Sequence, residues 1–176
     1  VRALRAQRAK PETQMLAPST AYGTSAIEGG FIAVCHTDLD ADIRALAGFT
    51  PVAEYGSRKP LCPEELGSVE NVRFITSPLL TPWADAGGLD GDVVLSTTGT
   101  NADVYPILIF GKGAYGHVPL KGKGAVKPSI LRPNVPRGGD PLGQRGSVGW
   151  KSYLAPVVLN QGWMVRIEAG ASDLVA

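Results

Sequence analysis

Glycine and proline interrupt this chain so often that long regular helices are excluded over most of its length. The sequence holds 22 glycines and 14 prolines in 176 residues, whereas the two together make up about 12% of an average protein. Proline removes a backbone donor, and glycine carries an entropic cost inside a helix or strand. The composition therefore favours short strands and long ordered loops over a helical bundle, in a chain of one-domain size.

Short apolar runs bounded by turn residues indicate where the strands lie. The run Phe31–Cys35 is rich in apolar and β-branched residues and precedes a polar segment. Runs with the same character predict further strands at residues 72–76, 93–97, 105–110 and 126–131. Pro- and Gly-rich turns separate these runs, as expected for a chain that changes direction often.

Two segments predict helices. The first ten residues, VRALRAQRAK, have the pattern of a helix that must stop before Pro11. The second helix begins at Thr37 as N-cap and ends at Gly48, with three acidic residues in its first turn, where the helix dipole favours carboxylates. Its buried stripe is predicted from a spacing of four and then three residues: Leu39, Ile43 and Leu46.

The segment from Gly146 to Ser172 predicts an aromatic-rich β-hairpin. Trp150 and Tyr153 open an apolar run that ends at residue 159, and Asn160-Gln161-Gly162 supplies turn residues. Residues 163–168 then alternate between apolar and polar, the period of a strand with two unlike faces. We expect Trp83, Trp150, Tyr153 and Trp163 to be core or interface residues rather than a ligand platform.

Glycines at Gly111, Gly113 and Gly116 form a G-x-G-x-x-G motif directly after a predicted strand. In dinucleotide-binding proteins this motif opens a helix whose N-terminus faces the pyrophosphate. The continuation HVPLKGKGAVKP cannot form that helix, and the acidic residue expected about 20 positions later is absent. A tight strand connection, with Lys112 and His117 facing solvent or a neighbouring chain, fits the sequence better.

The sequence offers no catalytic, cofactor or metal site by local pattern. The cluster Asp38, Asp40 and Asp42 lacks the glycine and glutamate of a calcium loop, and Asp85, Asp90 and Asp92 form a weaker oxygen-rich loop. Neither His36 nor His117 has zinc-ligand spacing with Cys35 or Cys62, and both thiols are expected to be free and buried. A catalytic triad whose members are distant in sequence stays open.

Charge divides sharply along the chain. Residues 12–110 contain thirteen acidic and four basic residues, whereas residues 111–151 contain eight basic residues and Asp140 as their single acid. Such blocks can neutralise each other within the fold or meet across a symmetric contact between copies. A nucleic-acid-binding patch is the third reading, although few aromatic residues accompany the basic block.

Several segments resemble the major capsid proteins of coliphage N-four-type tailed phages, which have the Hong Kong 97-like fold. Near the C-terminus the similarity is carried by GWK (149–151), the LN pair (159–160) and WMVRIE (163–168). Upstream it is carried by FIAVCH (31–36), TDLD (37–40), DIR (42–44), EYG (54–56) and ELGSV (65–69). Family members are considerably longer, so the resemblance places this chain in the C-terminal part of such a protein.

The resemblance implies an α+β, strand- and loop-rich fold, mainly an axial domain with part of a peripheral domain. Residues 1–10 would end a helix that continues from an N-terminal part, residues 11–148 would be mainly axial, and residues 149–176 would complete the fold as a β-hairpin. It also implies a non-enzymatic protein of the virion, made in the bacterial host cytoplasm, without cofactor or membrane. Its copies would form capsomers and an icosahedral shell around double-stranded DNA, with decoration or portal proteins as further partners. The alternative is a nucleotide-binding α/β enzyme that uses the glycine motif at Gly111, Gly113 and Gly116.

Overall fold

The computed structural model describes residues 1–13, 29–56, 60–89, 93–119 and 128–174. The chain divides into two compact units: unit 1 consists of Val1–Ala114 with Asn160–Ala176, and unit 2 consists of Tyr115–Leu159. In chain order the elements are α1 (Arg2–Ala6), β1 (Phe31–Cys35), α2 (Asp40–Arg44), β2 (Phe49–Pro51), β3 (Glu65–Val69), β4 (Val72–Thr76), β5 (Tyr105–Phe110), β6 (Tyr115–Pro119), β7 (Ser129–Leu131), β8 (Ser147–Gly149), β9 (Leu154–Val158) and β10 (Met164–Ala169). The fold is mixed α+β, rich in strands and with few helical residues.

Unit 1 is built on a six-stranded mixed sheet with the order β10-β5-β1-β4-β3-β2. Strands β1 and β4 run parallel, and the other neighbouring pairs are antiparallel. Burial alternates along β1, with Phe31, Ala33 and Cys35 buried on one face of the sheet. The register places Phe74 of β4 and Ile109 of β5 beside Ala33 on that same face, which therefore holds the apolar core.

The polar segment after β1 covers this apolar face, but its helix is shorter than the sequence predicts. A 3-10 turn occupies Thr37–Leu39 before α2 begins. His36, rather than Thr37, caps the turn because its Nδ1 accepts the Asp38 N–H at 3.2 Å. Leu39 and Ile43 are buried as predicted, whereas Leu46 lies beyond α2 and is 45% exposed.

The N-terminal helix is also shorter than predicted. It ends at Ala6, and Arg8 adopts a left-handed backbone with a φ of 55°, so the helix stops before Pro11 can act on it. Leu4 is fully buried in the core of unit 1, and α1 packs against β10.

The strand predictions hold where the apolar run pairs over its whole length. Strands β1, β4 and β5 have the predicted bounds. The strand predicted at residues 93–97 is wrong: Leu95 donates to Ala171 and accepts from Asp103, so this segment bridges two loops instead of joining a ladder. Within the strand predicted at residues 126–131, Ser129–Leu131 forms β7. Residues 126–127 lie outside the described part of the chain.

The predicted C-terminal hairpin is wrong, although both of its strands exist. Strand β9 pairs with β6 in unit 2, whereas β10 pairs with β5 in the large sheet. The β10–β5 register sets Val165 opposite Ile109 and Ile167 opposite Ile107, which joins two rows of aliphatic side chains on the buried face. Pairing β10 with β9 would forgo that continuous apolar surface.

Unit 2 contains two separate two-stranded antiparallel sheets, β6–β9 and β7–β8. In the first, Tyr115 lies opposite Val158 and Val118 opposite Ala155. Across the described residues of the whole chain, no helix is long and apolar enough to span a membrane.

Candidate functional site

The most unusual feature of the molecule is the amount of apolar surface that unit 2 exposes. Its large apolar side chains in the described residues are all exposed, from 40% for Leu131 to 76% for Leu142. They are Tyr115, Val118, Ile130, Leu131, Val135, Leu142, Val148, Trp150, Tyr153, Leu154, Val157, Val158 and Leu159. Gly143 is the one buried residue among those described in this unit.

This exposure follows from the way the strands are paired. A two-stranded sheet has two open faces and two open edges, so it shields little apolar surface and is marginally stable in water. Every residue of β9 is exposed, on both faces of the strand. Contiguous exposed apolar patches beyond a few hundred Å² are rare on monomers and mark interaction sites. Unit 2 therefore has the properties of a surface that another molecule covers.

Unit 2 is also strongly basic. It contains seven basic residues and one acidic residue, Asp140. Of the basic residues, Arg132, Arg145 and Lys151 are exposed, while those at positions 121, 123 and 127 lie outside the described residues. The Asp140 carboxylate accepts the backbone N–H of Arg145 at 2.7 Å, a bond that leaves the guanidinium charge unneutralised. A partner surface with negative charge would complement this unit.

The glycine motif forms a strand connection, as predicted. Strand β6 begins at Tyr115, at the point where a nucleotide-binding helix would have to start. The backbone N–H groups of Gly111, Lys112 and Ala114 donate to Trp163, Lys10 and Gly111 respectively. Because these donors are already bonded within the protein, they cannot cradle a phosphate. Lys112 and His117 are exposed, as the sequence indicates.

The predicted acidic cluster does not converge on one point. Asp38 accepts the Tyr105 hydroxyl at 2.9 Å, whereas Asp42 accepts the N–H and hydroxyl of Ser172. Burial raises the pKa of Asp40, and its Oδ1 has no hydrogen-bond partner among the residues that the structure describes. Within the described segments no three His, Cys, Asp or Glu side chains could hold a metal. In the second acidic loop, Asp85 accepts the Asn101 N–H, and residues 90 and 92 lie outside the described part.

The histidine and cysteine nearest each other do not form a nucleophilic pair. The Cys35 thiol is buried and directed at the Ile75 carbonyl at 3.6 Å, and burial raises its pKa to about 12. A thiol with that pKa supplies almost no thiolate at neutral pH. The His36 Nδ1 lies 3.2 Å from the Asp38 carboxylate. Cys62 is a free thiol but half-buried, so the prediction of burial holds for Cys35 alone.

Two buried polar arrangements were not predicted from the sequence. Glu65 of β3 pairs with Arg73 of β4 at 3.1 Å and accepts the Tyr55 hydroxyl at 2.7 Å. Asp103 is fully buried, and its carboxylate accepts the N–H and hydroxyl of Thr97 and a backbone N–H. In the sequence, each arrangement was indicated only by a charged residue inside or beside an apolar strand pattern. All of these contacts bond protein groups to one another, which is the property of structural elements.

The aromatic residues divide between core and surface. Trp163 is half-buried against the core of unit 1, and its Nε1–H donates to the Gln7 carbonyl at 3.0 Å. Trp83 is 43% exposed and lies beside the Arg166 guanidinium. Trp150 and Tyr153 are 73% and 59% exposed, so they are not core residues. Their exposure keeps the interface role as the expectation for both.

No protein-family model matches the chain, and a search of curated proteins finds no significant match.

Proposed function

We propose that this protein is a structural subunit that binds copies of itself: a major capsid protein of a tailed phage with the Hong Kong 97-like fold. Its copies would assemble into the icosahedral shell that encloses double-stranded DNA. The observation that carries this proposal is unit 2, in which every large apolar side chain described is exposed. Such a surface is costly in a monomer and ordinary in a subunit whose neighbours cover it.

The positions of the resembling segments support a structural protein. FIAVC is β1, ELGSV is β3, and WMVRIE supplies most of β10. These segments are strands of the central sheet of unit 1. Three of the eight resembling segments are therefore strands of one sheet. Likeness in sheet strands is what a protein with an architectural role would have. On this proposal residues 11–148 belong mainly to the axial domain, and the chain also contributes part of a peripheral domain.

The charge division supports assembly through repeated contacts. Unit 2 is basic, and residues 12–110 of unit 1 are acidic, so neighbouring copies could meet with opposite charge and fixed register. Exposed arginines on the inner face of a shell would also neutralise phosphates of the packaged DNA. The protein would act in the virion, after synthesis in the bacterial cytoplasm, with decoration or portal proteins as additional partners and no cofactor or membrane.

The enzyme alternative has less support. A nucleotide site at Gly111, Gly113 and Gly116 would need free backbone donors and a following helix, and the chain has bonded donors and strand β6 there. The Lys112→Ala variant tests this directly. On the capsid proposal it assembles like the parent, and neither protein binds nucleotide in calorimetry.

The proposal is tested by electron microscopy of the purified protein, with the unassembled protein from high salt as the control. Regular capsomers are expected. Small discrete particles that bind a nucleotide in a Lys112-dependent manner would replace the capsid proposal with the enzyme alternative.

A further inference from the structure

Unit 1 carries an apolar groove on the core face of its sheet. Its volume is about 290 Å³, and its walls are formed by the turn and helix after β1 together with β5 and β10. Its lining includes Leu39, Ile43, Leu46, Ile107, Ile167 and Gly170. Leu46 and Ile167 are 45% and 44% exposed, so large aliphatic side chains at the groove are left partly uncovered.

The groove lacks the features of a small-molecule site. Such sites combine an apolar lining with a few convergent polar groups that orient the ligand. Among the described residues that line the groove, Asp42 alone is charged. Its two carboxylate oxygens accept the Ser172 N–H at 2.9 Å and the Ser172 hydroxyl at 2.6 Å. With that carboxylate already bonded, the groove offers aliphatic surface and no orienting donor. Its occupant should therefore be a few apolar side chains of a protein.

Unit 2 contains a segment with the matching chemistry. Residues 154–159, LAPVVL, are hereafter the donor segment, and all six are apolar and exposed. Leu154, Val157 and Leu159 are 60%, 49% and 62% exposed. The segment is short, extended over β9, and lies in the basic unit a few residues after Lys151.

Charge selects the orientation of the contact. The groove is bounded by a turn and helix that carry three acidic residues, Asp38, Asp40 and Asp42, and one basic residue, Arg44. The donor segment belongs to a unit with seven basic residues and one acid. Opposite charge around two apolar surfaces favours their association and disfavours contact between two copies of the same surface.

We propose that the donor segment of one copy docks into the apolar groove of unit 1 in a second copy. This inference rests on the proposed self-assembly and assigns its surfaces. Because donor and groove are different patches, the contact is heterologous, and each subunit can give its segment to one neighbour and receive one from another. Contacts of this kind close into rings or extend into filaments, according to the rotation between copies.

The test uses one variant of each surface in the purified protein. Val157→Asp disables the donor segment, and Leu46→Asp disables the groove at a partly exposed position outside any strand or helix. Leu79→Asp and Leu89→Asp are matched controls, because these leucines are 88% and 84% exposed and lie in unit 1, outside both the donor segment and the groove. Circular dichroism of each variant checks that the fold is retained.

Sedimentation velocity should show that each disabled variant is monomeric at concentrations where the parent and the two controls assemble. We expect self-association to weaken by at least ~30-fold, the effect of losing one interface hot spot. Mixing the two disabled variants leaves one intact groove and one intact donor segment. The mixture should therefore form a one-to-one dimer and nothing larger.

A cross-linking experiment supplies a readout that does not depend on the variants' stability. Leu46→Cys and Val157→Cys proteins, each in a Cys62→Ser background, are mixed and treated with a short thiol-specific cross-linker. Covalent dimers should form in the mixture far faster than in either protein alone. Cys35 does not interfere because it is buried.

The outcomes separate this inference from the proposed function. If the parent assembles and both Asp variants assemble equally well, the docking assignment is wrong while self-assembly stands. A parent that stays monomeric would overturn both. Loss of binding to DNA or to another protein, with self-association unchanged in the variants, would also overturn the assignment.

Discussion

The buried ion pair between Glu65 and Arg73 gives the sharpest prediction about stability. The Glu65 side chain is fully buried and that of Arg73 is 5% exposed, with 3.1 Å between Oε1 and Nη1. Glu65 also accepts the Leu61 N–H at 2.6 Å and the Tyr55 hydroxyl, and burial raises the pKa of Tyr55 to about 12. The carboxylate is therefore held by several donors in a site with little water.

Removing Arg73 alone leaves a buried carboxylate without its counter-charge. Breaking a buried pair in this way costs about 3–5 kcal/mol, whereas replacing both members by apolar residues is often close to neutral. We expect Arg73→Met to lower the free energy of unfolding by about 3–5 kcal/mol. The double variant Glu65→Leu with Arg73→Met should lose less than the sum of the single variants, because their coupling energy is about 2 kcal/mol or more.

Urea unfolding followed by tryptophan fluorescence measures these differences under conditions where the protein is monomeric. The Glu168→Gln variant is a control, because its ion pair with Arg166 is exposed on both sides and such pairs contribute about 0–1 kcal/mol. This variant keeps the Arg166 guanidinium beside Trp83. The argument from burial would be wrong if the Glu65→Leu and Arg73→Met variants each lowered the free energy of unfolding by less than about 1 kcal/mol and the double variant lost only the sum of the two.

Three further predictions concern separate features. The hydrogen bond from Thr97 lowers the pKa of Asp103, so Asp103→Asn should lower the free energy of unfolding at pH 7 by about 1.5–3 kcal/mol. In urea unfolding this difference should shrink as pH falls below about 4, because the carboxyl of the unfolded chain then takes up its proton. Trp163→Ala should lose roughly 2–3 kcal/mol, less than the ~3–5 kcal/mol of a fully buried aromatic, whereas Trp150→Ala should leave the unfolding midpoint unchanged and weaken assembly in light scattering. Added salt should weaken self-association, with Lys151→Glu acting in the same direction, because exposed charges are screened beyond about 8 Å at physiological ionic strength; assembly of both proteins that is independent of salt would leave apolar contacts as the driving force.

Local pattern was sufficient for the elements of unit 1 whose apolar run matches a complete strand. Phe31–Cys35, Val72–Thr76 and Tyr105–Phe110 were predicted with the observed bounds. Each is a run of five or six residues rich in β-branched or aromatic side chains, and each pairs along its length with a neighbour on a buried face. For such runs, burial and local preference point to the same conformation.

Pairing could not be predicted in the same way, because it depends on residues far apart in sequence. The turn at Asn160-Gln161-Gly162 is compatible with a hairpin, yet the strands on its two sides join different sheets. Strand β10 pairs with β5, about sixty residues upstream, and β9 pairs with β6, about forty residues upstream. The Glu65–Arg73 pair could not be predicted either, because it forms only when β3 and β4 adopt their antiparallel register.

The sequence contains a signal for the exposed apolar surface of unit 2, but the prediction paired this strand with residues 163–168 instead of with β6. The run LAPVVL has apolar residues at every position, so it has no polar face to turn toward solvent. Such a strand is expected to be covered on both sides, yet in this chain both sides are exposed. Helical spacing likewise predicted burial of Leu46, which lies beyond α2 and lines the groove. In both cases the pattern detected an apolar surface correctly, and the covering element is not found among the described residues.

Sedimentation velocity of the purified protein over a wide range of concentrations tests the central claim most directly. If the exposed surface of unit 2 exists to bind further copies, the boundary should move to large, discrete species as concentration rises and return to the monomer in the Val157→Asp variant. A single boundary at the mass of the monomer at every concentration would contradict the claim that this chain is an assembly subunit.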